Sequence, residues 1–215
     1  LIKKRFFYDL TVLGIGAVRT SFNKSEGVVV DYVDPANLIY SRTNSPYFDD
    51  IYYAGEVKSI PINELVKQFP NLTDEDIKDI LEKNSKANTY KSGRNRNLAR
   101  DKNIVEVLYF NYKTYNHEVY KIKTTGTGGL RAIRKTDAFN PPADMSGIFR
   151  ASKKIEVLYD GVMVLGCNKL LKWELAKNMI RSKSDFNKVK MNYSIVAPRM
   201  YEGRIESIVS RITGF

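Results

Sequence analysis

One stretch decides the fold class: Ile104-Val105-Glu106-Val107-Leu108-Tyr109-Phe110-Asn111-Tyr112. It is rich in β-branched and aromatic residues, which pack well on a half-buried pleated surface and are enriched in strands. A turn is predicted at 114–116, and an alternating strand follows at 118–123. From residue 104 to residue 202 the sequence therefore predicts a mainly antiparallel β region.

The pair Asp160-Gly161 gives the sharpest local signal in that region. It lies between two largely apolar runs, 155–159 and 162–165. Asp-Gly readily adopts the positive φ angles of a two-residue hairpin turn. The sequence therefore predicts a β-hairpin that turns at these two residues.

The N-terminal segment has apolar residues at helical spacing. Phe6, Leu10 and Leu13 belong to this set, and a helix is predicted over 2–22. Gly14 and Gly16 weaken that helix, because glycine costs about 1 kcal/mol relative to alanine in a helix. Alternatively, they allow close backbone packing, because glycine has no side chain.

Two short strands and then two helices are predicted next. The strands are expected at 28–33 and 51–57, and Pro35 ends the first because proline cannot donate to a sheet. Pro61 fits the first turn of a helix, and Thr73 is placed to cap the helix after it. The fold class predicted for the whole chain is α+β.

A basic segment separates the two structured regions. Residues 86–103 lack apolar periodicity and predict a flexible loop. Its cations, candidates for contact with a polyanion or another subunit, are Lys91, Arg94, Arg96, Arg100 and Lys102. The predicted organisation is an α+β unit at 1–85, this loop, an antiparallel β-rich region at 104–202 and the start of a helix at 203–215.

The net charge of +11 is unevenly distributed. Residues 1–80 hold nine Lys and Arg against twelve Asp and Glu, a balance of −3, which leaves a balance of +14 for the rest. Such asymmetry fits a polyanionic partner, a neighbouring subunit of complementary charge, or a solvated basic face. No run approaches the ~18 apolar residues that a membrane-spanning helix needs, so no membrane partner is predicted.

No catalytic or metal-binding motif is recognisable in the sequence. His117 is the only histidine and Cys167 the only cysteine, and neither has partners at catalytic or metal spacing. The acidic run at 74–76 is explained by its place at a helix N-terminus. We expect no enzymatic activity, no metal and no cofactor, and an enzyme that uses carboxylates alone is the weakest alternative.

Tyrosine and phenylalanine are abundant, with 14 and 10 residues. Many of the tyrosines lie on or beside predicted strands. Aromatic side chains beside lysines can stack on single-stranded bases, but tyrosine is equally favoured on half-buried strands and at subunit interfaces. Without a ribonucleoprotein-type signature, the interface is the favoured interpretation.

Two stretches resemble the wing region of tailed-bacteriophage portal proteins. The first comprises 8–18 and 28–39, where a helix ends near small residues and a strand leads into the acidic-Pro-x-Asn loop at 34–37. The second is 193–208, where Pro198 and then Gly203 precede a helix. The order of elements is similar to that of the short-tailed branch, and the Asn-, Lys- and Tyr-rich composition is similar to that of crAss-like phages.

The resemblance implies a fragment of a structural subunit that, at full length, forms a dodecameric ring at one capsid vertex. Its partners would be other portal subunits, the terminase, capsid and tail or adaptor proteins, and double-stranded DNA that passes non-specifically. Its location would be the virion, and the host cytoplasm during assembly.

DNA must slide through a portal channel, so the cations of the 86–103 loop are expected to face capsid, a neighbouring subunit or solvent. The alternative is a basic nucleic-acid-binding module of unknown role, in which this loop grips phosphates.

Overall fold

In the computed structural model, the described part of the chain (residues 1–90, 103–141, 147–167 and 169–212) contains four helices and thirteen strands. The helices are α1 (Ile2–Val12), α2 (Ile62–Gln68), α3 (Asp74–Tyr90) and α4 (Ile208–Ile212), with a short 3-10 turn at Pro35–Asn37. The strands are β1 (Gly16–Asn23), β2 (Gly27–Val33), β3 (Leu38–Tyr40), β4 (Tyr53–Pro61), β5 (Ile104–Thr124), β6 (Leu130–Lys135), β7 (Ile148–Val164), β8 (Lys169–Leu175), β9 (Ile180–Arg181), β10 (Val189–Lys190), β11 (Tyr193–Val196), β12 (Met200–Tyr201) and β13 (Arg204–Ile205).

Two antiparallel sheets carry the architecture. The large sheet has the order β3-β4-β5-β7-β8, and β6 pairs with the far end of β5. The small sheet has the order β11-β1-β2. The predicted α+β class is confirmed: an N-terminal helix, short strands and two helices precede a mainly antiparallel region that ends in a short helix.

The first helix ends earlier than the sequence predicts. Leu13 and Gly14 donate their backbone N–H groups to the Asp9 carbonyl at 2.7 and 3.0 Å, and Gly14 then takes a φ of +82°. A Cβ at Gly14 would lie 2.6 Å from the Glu206 carbonyl oxygen, so only glycine fits. The helix predicted over 2–22 is therefore wrong beyond Val12, and strand β1 begins at Gly16.

The predicted turn at 114–116 is also wrong, because β5 runs unbroken for 21 residues. So is the hairpin turn at Asp160-Gly161, since both residues lie inside β7. Gly161 pairs with Phe110, whose ring occupies the space that a Cβ at position 161 would need. The glycine therefore serves packing, and the chain reverses after Val164, where Gly166 has a φ of +89°.

Two apolar clusters pack on one face of the large sheet. One lies against α2 and α3 and includes Leu65 and Ile80. The other joins the large sheet to the small one and includes Ala17 and Ile195. Side chains alternate between two faces along β4, β5 and β7, and the residues of these strands that belong to the two clusters all point to one of them. We call this face, where most of the core is buried, the inner face.

Local signals place α2 and α3 where the sequence predicts them. Pro61 is the N-cap residue of α2 and the last residue of β4, one position before the first turn in which the sequence predicts it. Thr73 accepts from the Asp76 N–H at 3.3 Å, and the Asp76 carboxylate accepts from the Thr73 N–H at 3.3 Å. This reciprocal pair satisfies two backbone donors at the start of α3.

The two predicted structured regions share both sheets, because β4 pairs with β5 and β1 pairs with β11. Helix α3 ends at Tyr90, so five residues of the loop predicted at 86–103 are helical. The final helix begins at Ile208 and not at residue 203, because β12 and β13 form a small hairpin around Gly203, whose φ is +78°.

Candidate functional site

The five cations that the sequence singles out lie outside the described residues. They are Lys91, Arg94, Arg96, Arg100 and Lys102. Their role as a polyanion or subunit contact stays a prediction.

The single histidine and the single cysteine lie apart. His117 is exposed on β5, opposite Lys154 of β7. Cys167 packs beside the helix-side apolar cluster, and its thiol approaches the Val164 carbonyl at 3.8 Å. Across the residues described, no group of three or more His, Cys, Asp or Glu side chains is placed to hold a metal ion. In the same part of the chain, no helix is long and apolar enough to cross a membrane.

A row of polar side chains crosses the inner face of the large sheet between the two apolar clusters. Asn111, Asp160 and Glu174 lie side by side in register on β5, β7 and β8. On β7 the neighbouring inward residues are Leu158 of one cluster and Val162 of the other. The row therefore interrupts the core along one line, which we call the polar row.

Two adjoining cavities open above the polar row. Their volumes are about 600 and 420 Å³, and both are lined by Arg19, Asp160 and Lys172. Arg19 comes from β1 of the small sheet, so the cavities form where the small sheet meets the large one. Neither lining includes a histidine or a cysteine among the residues described.

Charges around the polar row are only partly paired. Glu56 is buried and lies 3.4 Å from the Arg19 guanidinium and 3.0 Å from Lys58 Nζ. Burial raises the pKa of the Asp160 carboxyl, opposed by the positive charges of Lys172 and Arg19 and by the hydrogen bond that Asn111 donates. The Asn111 Oδ1 atom is buried without a hydrogen-bond partner among the described residues.

Tyr193 closes the cleft on the side of the small sheet. Its hydroxyl donates to the Tyr109 carbonyl at 3.1 Å, and burial raises its pKa. The Arg19 guanidinium lies 5.7 Å from the centre of the Tyr193 ring. The arrangement can hold a small polar molecule between carboxylate and cations, and the described residues that line it include no histidine or thiol to pair a nucleophile with a base.

The outer face of the large sheet carries a cluster of aromatic rings, which we call the aromatic face. Trp173 is at its centre. Its ring stacks on that of Tyr159, with 5.1 Å between the ring centres and an interplanar angle of 8°. The ring centres of Phe110 and Tyr112 lie 5.9 and 6.0 Å from that of Trp173. Aliphatic residues surround these rings, and Leu170 and Trp173 remain 51% and 46% exposed.

A shallow apolar depression of about 280 Å³ lies on the same face. Its lining residues are apolar or aromatic: Ile39, Tyr53, Gly55, Leu108, Phe110, Tyr112 and Met163. A contiguous apolar and aromatic surface of this kind marks an interaction site more often than a chance exposure.

No protein-family model matches this chain, and no curated protein matches its sequence. The functional assignment therefore depends on the resemblance of residue pattern and on the surfaces described above.

Proposed function

We propose that this chain is the wing region of a portal subunit of a tailed bacteriophage. In this role it is a structural part of the ring through which double-stranded DNA is packaged and later ejected. The residues that support the proposal are those that resemble portal wing segments, 8–18, 28–39 and 193–208. Terminase, capsid proteins and tail or adaptor proteins are the expected partners, and the virion is the expected location.

The aromatic face is the observation that carries the proposal, because a ring requires each subunit to contact its neighbours over a large surface. Interface cores are enriched in Tyr, Trp and Phe and are depleted of charge. Trp173 and its ring neighbours supply that composition on a sheet surface that is substantially exposed. The proposed occupant of this face is a second copy of the subunit.

A portal acts as a conduit, and the terminase that docks on it hydrolyses the ATP. The proposal therefore includes no catalytic activity for this chain. The buried Glu56, which lies beside the polar row, then has a structural role, because Arg19 holds it across the junction of the two sheets.

The test is the assembly state of the full-length subunit that contains this sequence, measured by analytical ultracentrifugation and electron microscopy. We expect closed rings, and we expect Trp173→Glu to reduce the ring fraction at least tenfold by placing a charge in the interface. Phe186→Glu is the matched control, since Phe186 is 70% exposed and lies outside the aromatic face.

Circular dichroism must first show that both variants are folded. A full-length protein that stays monomeric at ~10 μM, or rings equally tolerant of both substitutions, would contradict the proposal.

The alternative function, nucleic-acid binding through the loop at 86–103, stays a prediction because residues 91–102 lie outside the described part of the chain. Replacement of Lys91, Arg94, Arg96 and Arg100 distinguishes the two functions, because DNA binding should be lost in this variant only if the loop grips the phosphates.

A further inference from the structure

The far ends of three strands form an arm that extends from the large sheet. Beyond Tyr112, β5 continues to Thr124 and pairs with β7 on one side. From Val119 onward it also pairs with β6 on its other side. Every residue of β6 is exposed.

One face of this arm is strongly basic. Side chains that pair directly across antiparallel strands point to the same face. Lys123 pairs with Arg131, Lys121 with Arg150, Val119 with Lys135, and His117 with Lys154. Between Tyr115 and the tip of the arm, the cations that share this face are Lys121, Lys123, Arg131, Lys135, Arg150 and Lys154, and we call this part the basic face.

Few groups neutralise these charges. The only carboxylate that the three strands place on the basic face is Glu156, which accepts from the Val189 N–H at 2.9 Å and from the Tyr115 hydroxyl at 3.3 Å. Glu118 lies on the opposite face, where it pairs with Arg134 at 3.5 Å. Among the described residues, Lys121, Lys123, Arg131 and Lys135 have no ion-pair partner.

Like charges placed opposite each other destabilise a sheet pair, so this arrangement is unfavourable in isolation. A polyanion laid along the face would remove the repulsion. We infer that the basic face binds the phosphate backbone of double-stranded DNA, without sequence specificity.

The dimensions of the face suit a duplex. From His117 to Lys123 the strand covers about 20 Å, and three strands span about 10 Å. The same length of B-DNA carries about twelve phosphate charges. Arg150 is held by the Asn140 side chain at 3.2 Å and the Asp137 carbonyl at 3.1 Å, which leaves five cations for phosphate contact.

The aromatic content of the face argues against single strands. Proteins that bind single strands stack bases on open aromatic rings. The exposed ring on the basic face, Tyr115, has Lys154 Nζ at 4.3 Å from its centre. Phe149 and Tyr120 pair with residues of the opposite face and so point away from it. Phosphates, and not bases, are thus the groups that this face can recognise.

This inference deepens the proposed portal function, since a portal subunit meets duplex DNA, but it stands on the chemistry of the arm alone. Five contacts give weak and salt-sensitive binding, which is compatible with DNA that must slide. Ring assembly measured without DNA shows separately whether the portal proposal holds.

The experiment is fluorescence anisotropy with a labelled 24-base-pair duplex between 50 and 200 mM NaCl. With five phosphate contacts, the slope of log K against log salt should be about −4.5, which weakens binding about 500-fold over this range. Replacing Lys121, Lys123, Arg131 and Lys135 by alanine should bring the slope to about −1.

The variant with those four replacements is called the arm variant. Two matched variants each remove four cations at other places in the chain. The first replaces Lys3, Lys4, Lys24 and Lys78, which are exposed on other elements, and should keep the wild-type slope. The second replaces Lys91, Arg94, Arg96 and Arg100. Loss of binding in this loop variant, with the arm variant unaffected, would overturn the inference in favour of the loop.

Two further probes identify the partner class. A single-stranded oligonucleotide should bind more weakly than the duplex, and tighter binding would overturn the inference. Poly-glutamate of equal charge should bind at least tenfold more weakly than the duplex. Equal binding, lost in the same arm variant, would assign the face to an acidic protein partner instead.

Discussion

The ring of Phe110 lies over Gly161 on the neighbouring strand, in the space that a side chain at position 161 would occupy. On β4, Gly55 lies against the start of the same side chain, where an added Cβ would lie 2.7 Å from Phe110 Cβ. Two glycines therefore leave room for Phe110, whose ring centre lies 5.9 Å from that of Trp173. The aromatic face depends on residues that have no side chain.

Replacing Gly161 by alanine should destabilise the protein. The new methyl group overlaps the Phe110 ring, and overpacking of this kind costs about 1–3 kcal/mol. Urea denaturation measures the loss, with Gly126→Ala as the control because a Cβ there meets nothing within 4 Å. In a Phe110→Ala background the penalty of Gly161→Ala should largely disappear. An unchanged penalty would show that the ring is not its cause.

Replacing Tyr32 by phenylalanine should also reduce stability. The Tyr32 hydroxyl donates to the buried Asp9 carboxylate at 2.6 Å and thereby ties α1 to the small sheet. Loss of this charge-assisted hydrogen bond should lower the free energy of unfolding by about 1–2 kcal/mol. Tyr47→Phe, at an exposed tyrosine, is the control and should have no effect.

The same hydrogen bond predicts a change in alkaline stability. Burial, and then the bond to Asp9, raise the pKa of Tyr32 to about 12 from 10.0. The stabilisation is fully present below pH ~10 and is lost as the pH rises toward 12. Between pH 9 and 12, the melting temperature should therefore fall more steeply for the wild type than for Tyr32→Phe. Parallel curves would contradict this coupling.

Replacing Asp160 by asparagine should make the protein more stable at neutral pH. Burial raises the pKa of this carboxyl, so the folded state favours its protonated form. Its contribution to stability is therefore greatest below the unfolded pKa of ~4 and is lost as the pH rises through the folded value. The melting temperatures of the two proteins should be similar near pH 4. At pH 7 the melting temperature of the asparagine variant should be higher than that of the wild type.

Asp49→Asn, at an exposed carboxylate, serves as the control for Asp160 and should show no such divergence. An asparagine variant at position 160 that is less stable at pH 7 would mean that attraction to Lys172 and Arg19 outweighs burial.

Sequence reasoning succeeded where the decisive signal is local. Thr73 and Asp76 satisfy each other's backbone groups three positions apart, so their helix start could be read directly. Pro61 marks a helix start for the same reason, because the ring of a proline fixes the φ angle of that residue whatever its distant neighbours are.

It failed where a residue's role is set by a distant partner. An Asp-Gly pair favours a turn in isolation, but Gly161 accommodates a ring 51 positions earlier in the chain, and that packing decides its conformation. The polar row was hidden for the same reason: Asn111 and Asp160 are brought together only by the pairing of β5 with β7. The basic face likewise exists only because β6 aligns its cations with those of β5.

The pairing of β1 with β11 has a consequence for synthesis of the chain. Gly16 pairs with Val196, 180 positions later, so at 5–20 residues per second the ribosome needs about 10–35 s to supply the partner strand. Through that interval the nascent chain can close β1 against β2 but leaves the other edge of β1 open. Unpaired edges recruit strands from other chains, so folding of the nascent protein is exposed to misassembly until residue 196 has emerged.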